Sequence, residues 1–317
     1  MILITGCAGF IGFHICNKLL LKNTKVLGID SLNNYYPKSH KYRRLKILKK
    51  SKNFKFIKID LKKFDQLKKK LKNFKFYNVI HLAAQPGVRI SISNPHNTLN
   101  QNLISFSNII EISRLKKIKK FIYASSSSVY GDTKVYPFSE SDYKNIPISV
   151  YGATKLSNEI IAKSYSKNFN MKCIGLRFFT VYGPYGRPDM AYFKFSDLIK
   201  NGRPITVFNK GKMSRDMTYI DDLCDGIIAC VEKNFSSHQI FNLGNNKPVK
   251  LFNLISLIEQ YFNKRAIIEF KKSEIEIEET FADLTKSRDL LGYNPKIGIE
   301  DGMKEFLKWH SKINNEN

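Results

Sequence analysis

Residues 1–12 are MILITGCAGFIG, a short apolar stretch that runs into three spaced glycines. The apolar stretch predicts a strand over Ile2–Thr5, and the periodicity after the glycines predicts a helix over Phe10–Leu21. Glycines at these spacings allow a tight turn, approach of a ligand to the backbone, and close packing of the helix on the strand. The start of the helix would also present free N–H groups and the positive end of its dipole to a phosphate. The pattern therefore predicts a site for a dinucleotide pyrophosphate, and a purely structural turn is the alternative.

Short apolar strands alternate with helical stretches through the first half of the chain, which is typical of a parallel sheet covered on both faces. Further strands are predicted at Lys25–Ile29, Phe54–Ile59, Asn78–Leu82, Phe121–Ala124 and Cys173–Leu176, and further helices at Lys63–Leu71, Leu99–Leu115 and Tyr151–Asn168. These elements predict an α/β fold with a doubly wound, Rossmann-type parallel sheet, whose ligand lies beyond the carboxyl ends of the strands.

After Leu176 the character of the sequence changes, with loops rich in glycine and proline such as residues 183–188. We interpret this part as a smaller α/β lobe that binds the substrate. The predicted boundaries are residues 1–176 for the dinucleotide-binding domain and mainly residues 177–317 for the second lobe. Residues 218–243 are expected to return to the first domain, so that the two units are interleaved.

The formal net charge of the 317-residue chain is +26, and over half of it arises between residues 41 and 75, where 16 residues are basic and 2 are acidic. Lysines alternate with apolar side chains over Phe54–Ile59, and a helix over Lys62–Lys72 is expected to carry a lysine-rich outer face. A nucleic-acid-binding surface requires basic residues that are gathered on one face or interleaved with stacking aromatics. We therefore expect solvated lysines and no nucleic-acid partner, and a basic nucleic-acid-binding protein remains the alternative from a different class.

No apolar run approaches the roughly 20 residues needed to cross a bilayer, and the first residues lack the basic segment and cleavage site of a secretory leader. A cytoplasmic protein without a membrane partner is therefore expected. The five cysteines show no spacing typical of a metal site; they are Cys7, Cys16, Cys173, Cys224 and Cys230. We expect reduced, partly buried thiols and no bound metal.

The second predicted strand leads directly to Asp30. A carboxylate at this place accepts hydrogen bonds from adenosine ribose hydroxyls and repels a 2′-phosphate. The residues that follow, 31–34, include no arginine to hold such a phosphate. NAD is therefore favoured over NADP, with a turn-capping aspartate as the alternative. Asp60, after the third strand, is expected near the adenine.

Tyr151 and Lys155 are four residues apart, so they share one face of a predicted helix. A tyrosine with its usual pKa of about 10 is a poor base. A neighbouring ammonium and a positively charged nicotinamide are expected to lower that pKa toward the working range. Four serines, residues 125–128, follow the fifth predicted strand, and a hydroxyl there can bind a substrate oxygen and relay its proton. In this order after the glycine turn, the residues predict proton transfer beside a dinucleotide.

The chain resembles the extended short-chain dehydrogenase/reductase superfamily over nearly its whole length, and within it most closely the UDP-glucuronate 4-epimerases. The resemblance rests on the glycine turn and on GIDSLNNYY at 28–36, HLAAQPGVR at 81–89, SSSS at 125–128, SVYGATK at 149–155, RFFTVYGPYGRPDMA at 177–191, NKGKMSRDMTYIDD at 209–222 and NLGN at 242–245. One departure lies at residues 273–277, SEIEI, where relatives carry a Pro-Gly-Asp-Val stretch before the pair Ala282-Asp283. Any nucleotide contact from that loop is thereby left open.

The resemblance implies that Tyr151 is the catalytic base, Lys155 its modulator and Ser126 the hydroxyl partner. It also implies bound NAD, a UDP-sugar substrate, a homodimer, and a product that serves polysaccharide synthesis. The implied cofactor-binding residues are Gly6, Gly9, Phe10, Ile11, Gly12, Asp30, Asn33, Asp60, Leu61, Leu82, Ala83, Ala84, Tyr151 and Lys155. The implied substrate-binding residues are Arg89, Ser127, Ser128, Thr180, Arg187, Thr206, Phe208 and Arg215.

The implied reaction oxidises C4 of the sugar, lets the flat ketone turn over, and reduces it on its other face. With a C6 carboxylate that ketone is a β-keto acid, which is prone to lose carbon dioxide. Related decarboxylases and dehydratases carry acidic residues just before the dipeptide that is Val129-Tyr130 here, whereas this chain has Ser127-Ser128. Epimerisation of UDP-glucuronate to UDP-galacturonate is therefore favoured, and a 4-epimerase of a neutral UDP-sugar (UDP-glucose or UDP-N-acetylglucosamine) is the alternative.

Overall fold

The computed structural model describes residues 1–142, 146–273 and 277–313. Its strands are β1 (Ile2–Thr5), β2 (Val26–Asp30), β3 (Phe54–Lys58), β4 (Asn78–His81), β5 (Lys120–Ala124), β6 (Cys173–Phe178), β7 (Thr180–Tyr182), β8 (Ile205–Phe208), β9 (Ser214–Tyr219), β10 (Gln239–Leu243), β11 (Pro248–Lys250) and β12 (Ile268–Lys271). The departure noted at residues 273–277 falls mostly on 274–276, which lie outside the described residues.

The α-helices are α1 (Phe10–Leu21), α2 (Lys38–Leu48), α3 (Phe64–Leu71), α4 (Val88–Ser93), α5 (Pro95–Leu99), α6 (Ser105–Leu115), α7 (Val150–Phe169), α8 (Ala191–Lys200), α9 (Ile220–Glu232), α10 (Leu251–Phe262), α11 (Thr285–Leu291) and α12 (Ile299–Ile313). Among the described residues, none of these helices combines the length and apolar character that crossing a bilayer requires.

Seven strands form the central sheet in the order β10-β6-β5-β4-β1-β2-β3, and every neighbouring pair is parallel. The order reverses direction at β1 and β4, which confirms the predicted doubly wound, Rossmann-type fold. Six of these strands were predicted to within two residues. The seventh, β10, comes from residues 239–243 and pairs with β6.

Both faces of the sheet are covered, because successive side chains of a strand point to opposite sides. In β1, Ile2 and Ile4 belong to the apolar cluster with α1 and α9, whereas Leu3 belongs to the cluster with α3, α6 and α7. All four residues of β1 are buried. Burial on both faces explains why this strand reads as an uninterrupted apolar run.

The helices predicted from the sequence differ from the structure at α2 and at the residues before α6. Helix α2 was not predicted, because its inward face includes the buried cations Lys41 and Arg44 beside Leu45 and Leu48. The helix predicted over Leu99–Leu115 begins earlier, at Pro95, and contains a π-helical segment at Asn100–Ile104.

The π-helical segment carries Asn102, whose buried amide is hydrogen-bonded to two neighbouring elements. Its Oδ1 accepts from the backbone N–H of Gln85 at 2.7 Å, and its Nδ2 donates to the Gln85 carbonyl at 3.1 Å. Nδ2 also lies 3.0 Å from the hydroxyl oxygen of Thr154 on α7. The segment thereby joins α7 to the loop after β4.

Two small sheets lie beyond the central one. Strand β9 pairs with β7 and β11, and β8 pairs with β12. These sheets contain Thr180, Arg215 and the segment Thr206–Phe208, for which the family resemblance implies substrate binding.

Candidate active site

Gly6 and Gly12, in the turn between β1 and α1, stand at positions where a larger residue does not fit. Gly6 has a φ of +73°, in the left-handed region that favours glycine. A Cβ at Gly12 would lie 2.1 Å from the carbonyl oxygen of Gly6. Helix α1 therefore packs directly on the turn and begins beside Gly9, which has no side chain to cover its first N–H groups. This open cradle fits a pyrophosphate.

Asp30, at the end of β2, supports the cradle as well as facing the cleft above it. Its Oδ2 accepts from the backbone N–H of Ala8 at 3.1 Å, and its Oδ1 accepts from that of Leu32 at 2.8 Å. Each carboxylate oxygen has a second lone pair for a ligand hydroxyl. The turn-capping and ribose-binding interpretations of Asp30 are thus compatible with each other.

A cleft at the carboxyl ends of the strands, hereafter the cofactor cleft, brings the predicted cofactor-binding residues together. Its lining includes Gly6, Gly9, Phe10, Ile11, Gly12, Asp30, Asn33, Asp60, Leu61, Leu82, Ala83, Ala84, Tyr151 and Lys155. Ser126 and Arg187 line the same cleft. The cleft therefore unites the dinucleotide cradle with all three residues proposed for catalysis.

Lys41 also lines this cleft and was not predicted. Its ammonium donates to the carbonyl oxygen of Asn33 at 3.0 Å and to Oδ1 of the same residue at 2.6 Å. Lys41 thereby holds the loop after Asp30 in place. The signal in the sequence was hidden within a lysine-rich stretch, where a single inward-facing lysine does not stand out.

Tyr151 and Lys155 stand on the inner face of α7, which Ser149 caps by accepting from the backbone N–H of Gly152 at 3.1 Å. Lys155 is 4% exposed, and its ammonium donates to the carbonyl oxygen of Ala124 at 2.8 Å. The same ammonium lies 5.8 Å from the centroid of the Tyr151 ring. Helix α7 and the end of β5 are therefore joined through the lysine.

The expected lowering of the tyrosine pKa by Lys155 needs correction. Burial raises the pKa of Tyr151, while a hydrogen bond with Ser126 and the charge of Arg187 act to lower it. Burial also lowers the pKa of Lys155 to about 8. The groups that act to lower the pKa of Tyr151 in this structure are thus the Ser126 hydroxyl and the Arg187 guanidinium.

A second cavity adjoins the cofactor cleft and contains five predicted substrate-binding residues, namely Arg89, Thr180, Thr206, Phe208 and Arg215. The guanidinium of Arg89 lies 4.3 Å from the centroid of the Phe208 ring. Nη1 of Arg215 donates to the carbonyl oxygen of Ser214 at 2.9 Å. Lys194 and Lys271, which were not predicted, add positive charge to this cavity.

Ser127 and Ser128 form part of the lining of neither cavity. They lie in a 3₁₀ turn, Ser127–Tyr130, directly after Ser126. The Ser126 hydroxyl oxygen accepts from the backbone N–H of Ser128 at 3.1 Å and lies 3.2 Å from the Ser128 hydroxyl. Ser128 is thus tied to Ser126, and Ser127 is held between them in the same turn.

Arg187 and Asp189 stand where the two cavities meet, because Arg187 lines the cofactor cleft and Asp189 lines the second cavity. Arg187 Nε and Nη2 donate to the two carboxylate oxygens of Asp189 at 3.0 and 2.5 Å. Tyr35 donates its hydroxyl to the same carboxylate at 2.8 Å. Burial opposes ionisation of Asp189, yet these bonds lower its pKa overall. Neither Tyr35 nor Asp189 was assigned a role from the sequence.

The five cysteines are buried free thiols. Within the part of the chain that the structure describes, no group of three or more His, Cys, Asp or Glu residues is arranged to hold a metal ion.

The sheet order and the glycine cradle together define a Rossmann-type dinucleotide-binding protein, with a tyrosine–lysine pair in its cleft. The model of the NAD dependent epimerase/dehydratase family matches residues 2–244, and the chain belongs to this family.

Individual relatives extend the likeness over nearly the whole chain. An uncharacterised protein of Methanocaldococcus jannaschii is 50% identical over 311 residues, which is 97% of this chain and 95% of the relative. A UDP-glucuronate 4-epimerase of Thermodesulfobacterium geofontis is 39% identical over 318 residues, which is 99% of this chain and 97% of the relative. The crystal structure of UDP-glucuronic acid 4-epimerase from Bacillus cereus, in complex with UDP-glucuronic acid and NAD, superimposes with a TM-score of 0.93 at 36% identity, covering 98% of this chain and 99% of that one.

Proposed function

We propose that this chain is an NAD-dependent isomerase that interconverts UDP-glucuronate and UDP-galacturonate by epimerisation at C4. The observation that carries the proposal is that Tyr151, Ser126 and Arg187 line the same cleft as the glycine cradle. A base and a cation are thus available together for a sugar that carries both a C4 hydroxyl and a carboxylate.

Bound NAD supplies an acceptor for the C4 hydride and returns that hydride to the same sugar. Tyr151 takes the proton of the C4 hydroxyl and later gives it back, and Ser126 hydrogen-bonds the same substrate oxygen. Lys155 holds α7 to the end of β5 and contributes positive charge beside the tyrosine. Since hydride and proton both return to the substrate, the enzyme makes no net redox product.

The sugar carboxylate has to be bound without promoting loss of carbon dioxide from the 4-keto intermediate. We assign Thr180, Ser127 and Ser128 as hydroxyl donors to it and Arg187 as the neighbouring charge. Hydroxyl groups bind the carboxylate in its ionised state and offer no acid for chemistry at C5. The alignment of Arg187 with Asp189 holds the guanidinium at the junction of the two cavities.

The second cavity suits the UDP part of the substrate. Thr206 and Phe208 are proposed to contact the uracil, with Arg89 stacked on Phe208 at 4.3 Å. Arg215 is proposed to bind the diphosphate, which its planar guanidinium can contact through two hydrogen bonds. Lys194 and Lys271 provide further positive charge in the same cavity.

Purified protein incubated separately with UDP-glucuronate, UDP-galactose and UDP-N-acetylglucosamine tests this function. We expect the 4-epimer of UDP-glucuronate as the main product, without a steady rise in NADH absorbance. A preference for a neutral sugar would favour the alternative substrate class. Stoichiometric accumulation of NADH would show a net dehydrogenase instead.

We further propose that the enzyme is a homodimer joined through α6, α7 and the helical residues 88–104 that precede α6. Support comes from apolar side chains that are exposed in these segments: Ile92, Leu99, Ile104, Leu115, Ile160 and Phe169. Analytical ultracentrifugation of the wild type and Ile160→Glu tests this, and a dimer that the charged side chain dissociates is expected.

The remaining proposals concern the location, the partners and the lobes of the chain. A cytoplasmic enzyme is supported by five unbridged cysteines among the described residues. A UDP-sugar rather than a nucleic acid is proposed as partner, and a salt-dependent DNA shift assay tests that choice.

We propose residues 1–176 and 218–243 as the dinucleotide-binding domain. Support comes from the pairing of β10 with β6 and from the 2.6 Å ion pair of Lys18 with Asp225.

A further inference from the structure

Glu159 continues the face of α7 that carries Tyr151 and Lys155, because the three residues are successively four apart. Its side chain is buried, and its Oε1 accepts a hydrogen bond from the Ser125 hydroxyl at 2.5 Å. Ser125 directly precedes Ser126, the hydroxyl that acts on Tyr151. Glu159 therefore holds the residue immediately before the proposed catalytic serine.

Arg177, on the adjacent strand β6, fixes the Glu159 carboxylate. Its Nε donates to Oε1 at 3.0 Å and its Nη2 donates to Oε2 at 2.8 Å. The same guanidinium lies 4.7 Å from the centroid of the Tyr130 ring, and Tyr130 closes the turn Ser127–Tyr130. The ion pair thus contacts the chain on both sides of the segment Ser126–Ser128.

We propose that Glu159 and Arg177 are positioning residues, which fix the segment Ser126–Ser128 against Tyr151 so that the Ser126 hydroxyl and the Tyr151 hydroxyl meet. Side chains of this pair are only 7% and 9% exposed. Removing two charges from water costs free energy that their attraction barely recovers, so a buried ion pair is weak evidence for a contribution to stability. A bidentate guanidinium does, however, fix the orientation of a carboxylate, and through it the direction of the Ser125 bond.

The proposed consequence is electrostatic. Three groups face the Tyr151 hydroxyl or ring from the packed elements: Ser126 after β5, Lys155 on α7 and Arg187 in the loop after β7. The hydrogen bond with Ser126 lowers the pKa of Tyr151. If the segment that carries Ser126 shifts, this bond weakens and the pKa of Tyr151 increases, so less of the base is available at neutral pH.

Ser125→Ala tests the inference, since it deletes the bond to Glu159 and leaves the ion pair intact. The matched control is Ser113→Ala, which deletes another buried serine hydroxyl, one that donates to the Ile109 carbonyl at 2.6 Å within α6. Both variants are measured as NAD-loaded protein, with unfolding temperatures recorded. For Ser125→Ala we expect kcat on UDP-glucuronate to fall about 10- to 100-fold with little change in KM, because misplacement by about 1 Å at a reacting centre costs on the order of 100-fold.

The inference rests on the proposed function, so a second measurement is made without substrate. The pKa of Tyr151 is read by NMR of ring-¹³C-labelled tyrosine, with the signal assigned by Tyr151→Phe. We expect a higher pKa in Ser125→Ala and a wild-type pKa in Ser113→Ala. A wild-type titration and a wild-type kcat in Ser125→Ala would overturn the positioning role.

A wild type that converts none of the UDP-sugars would contradict the proposed function alone, and the tyrosine titration would still decide the inference. If Ser125→Ala folds poorly, Arg177→Lys takes its place, because it keeps the positive charge but loses one bond to Glu159 and the planar contact with Tyr130. The same rise in the Tyr151 pKa is expected, and its absence contradicts the proposal.

Discussion

Lys155 follows Tyr151 by one helical turn, and its ammonium lies 5.8 Å from the centroid of the Tyr151 ring while it donates to the Ala124 carbonyl at 2.8 Å. The lysine is therefore bonded to β5 while its ammonium lies beside the tyrosine ring. The same lysine lines the cofactor cleft. One side chain thus anchors α7 to β5 and also places its ammonium next to Tyr151.

Tyr151→Phe should retain binding of NAD and UDP-sugar but lose turnover, because it removes the proton acceptor and little volume. A decrease in kcat on the order of 10²- to 10⁴-fold is expected for the loss of an acid–base group. Steady-state kinetics and calorimetric binding measure the two effects separately. Lys155→Ala should weaken NAD binding as well. Near-native kcat in Tyr151→Phe would falsify the proposed mechanism.

The free energy of unfolding should depend on pH through Lys155. Burial lowers its pKa from 10.5 to about 8. Between these values the unfolded chain binds more protons than the folded one, so stability increases as pH rises from about 8 to 10.5, and the penalty is present in full below pH 8. Lys155→Met removes this titration. In NAD-free protein, the difference in unfolding free energy, wild type minus Lys155→Met, should rise by roughly 3 kcal/mol across that window.

Denaturant unfolding of both proteins at several pH values provides that difference. The proton binding of groups that both proteins share cancels in it. A difference that stays constant with pH would mean that Lys155 keeps an ordinary pKa in the folded state.

Two arginine–glutamate pairs of similar geometry should differ strongly in their effect on stability. Arg177 and Glu159 approach to 2.8 Å with side chains 9% and 7% exposed, whereas Arg114 and Glu111 approach to 2.7 Å with side chains 34% and 27% exposed. Arg177→Met leaves a buried carboxylate without its cation and should cost about 3–5 kcal/mol. Arg114→Met should cost less than about 1 kcal/mol, because water screens the pair. Equal losses in chemical denaturation would contradict the importance of burial here.

Thr180→Val should distinguish a hexuronate substrate from a neutral sugar. The substitution keeps the shape of the side chain and deletes one hydroxyl from the second cavity. Loss of a hydrogen bond to a charged group costs about 1.5–3 kcal/mol, so kcat/KM for UDP-glucuronate should fall by a factor of about 10 to 150. Release of a UDP-pentose, which reports decarboxylation, is also expected to increase.

UDP-galactose, which has no carboxylate, provides the control substrate for Thr180→Val and for Arg187→Ala. Its low starting activity should not fall in parallel. Proportional losses on both sugars would show that Thr180 and Arg187 do not discriminate the carboxylate.

The first strand, the glycine turn and helix α1 could be predicted to the residue, because their signals are local: an apolar run, spaced glycines and a helical period. Helix α2 could not, since Arg44 faces inward and is 1% exposed. Its guanidinium donates to the carbonyl oxygens of Ala8 at 2.9 Å and Tyr185 at 2.7 Å. A prediction from hydrophobic periodicity misses such a helix, because it assumes that every cation faces the solvent.

Local chemistry thus specified the dinucleotide cradle and the four-residue spacing of Tyr151 and Lys155, whereas most of the predicted lining of the cofactor cleft came from the family resemblance. The partners of each charge were decided only by the tertiary structure. Arg187 pairs with Asp189 under the hydroxyl of Tyr35, which is 154 positions away from Asp189 in sequence. Spacing along one helix or strand indicates which side chains share a face, but the burial and charge that set a pKa come from segments brought together by folding.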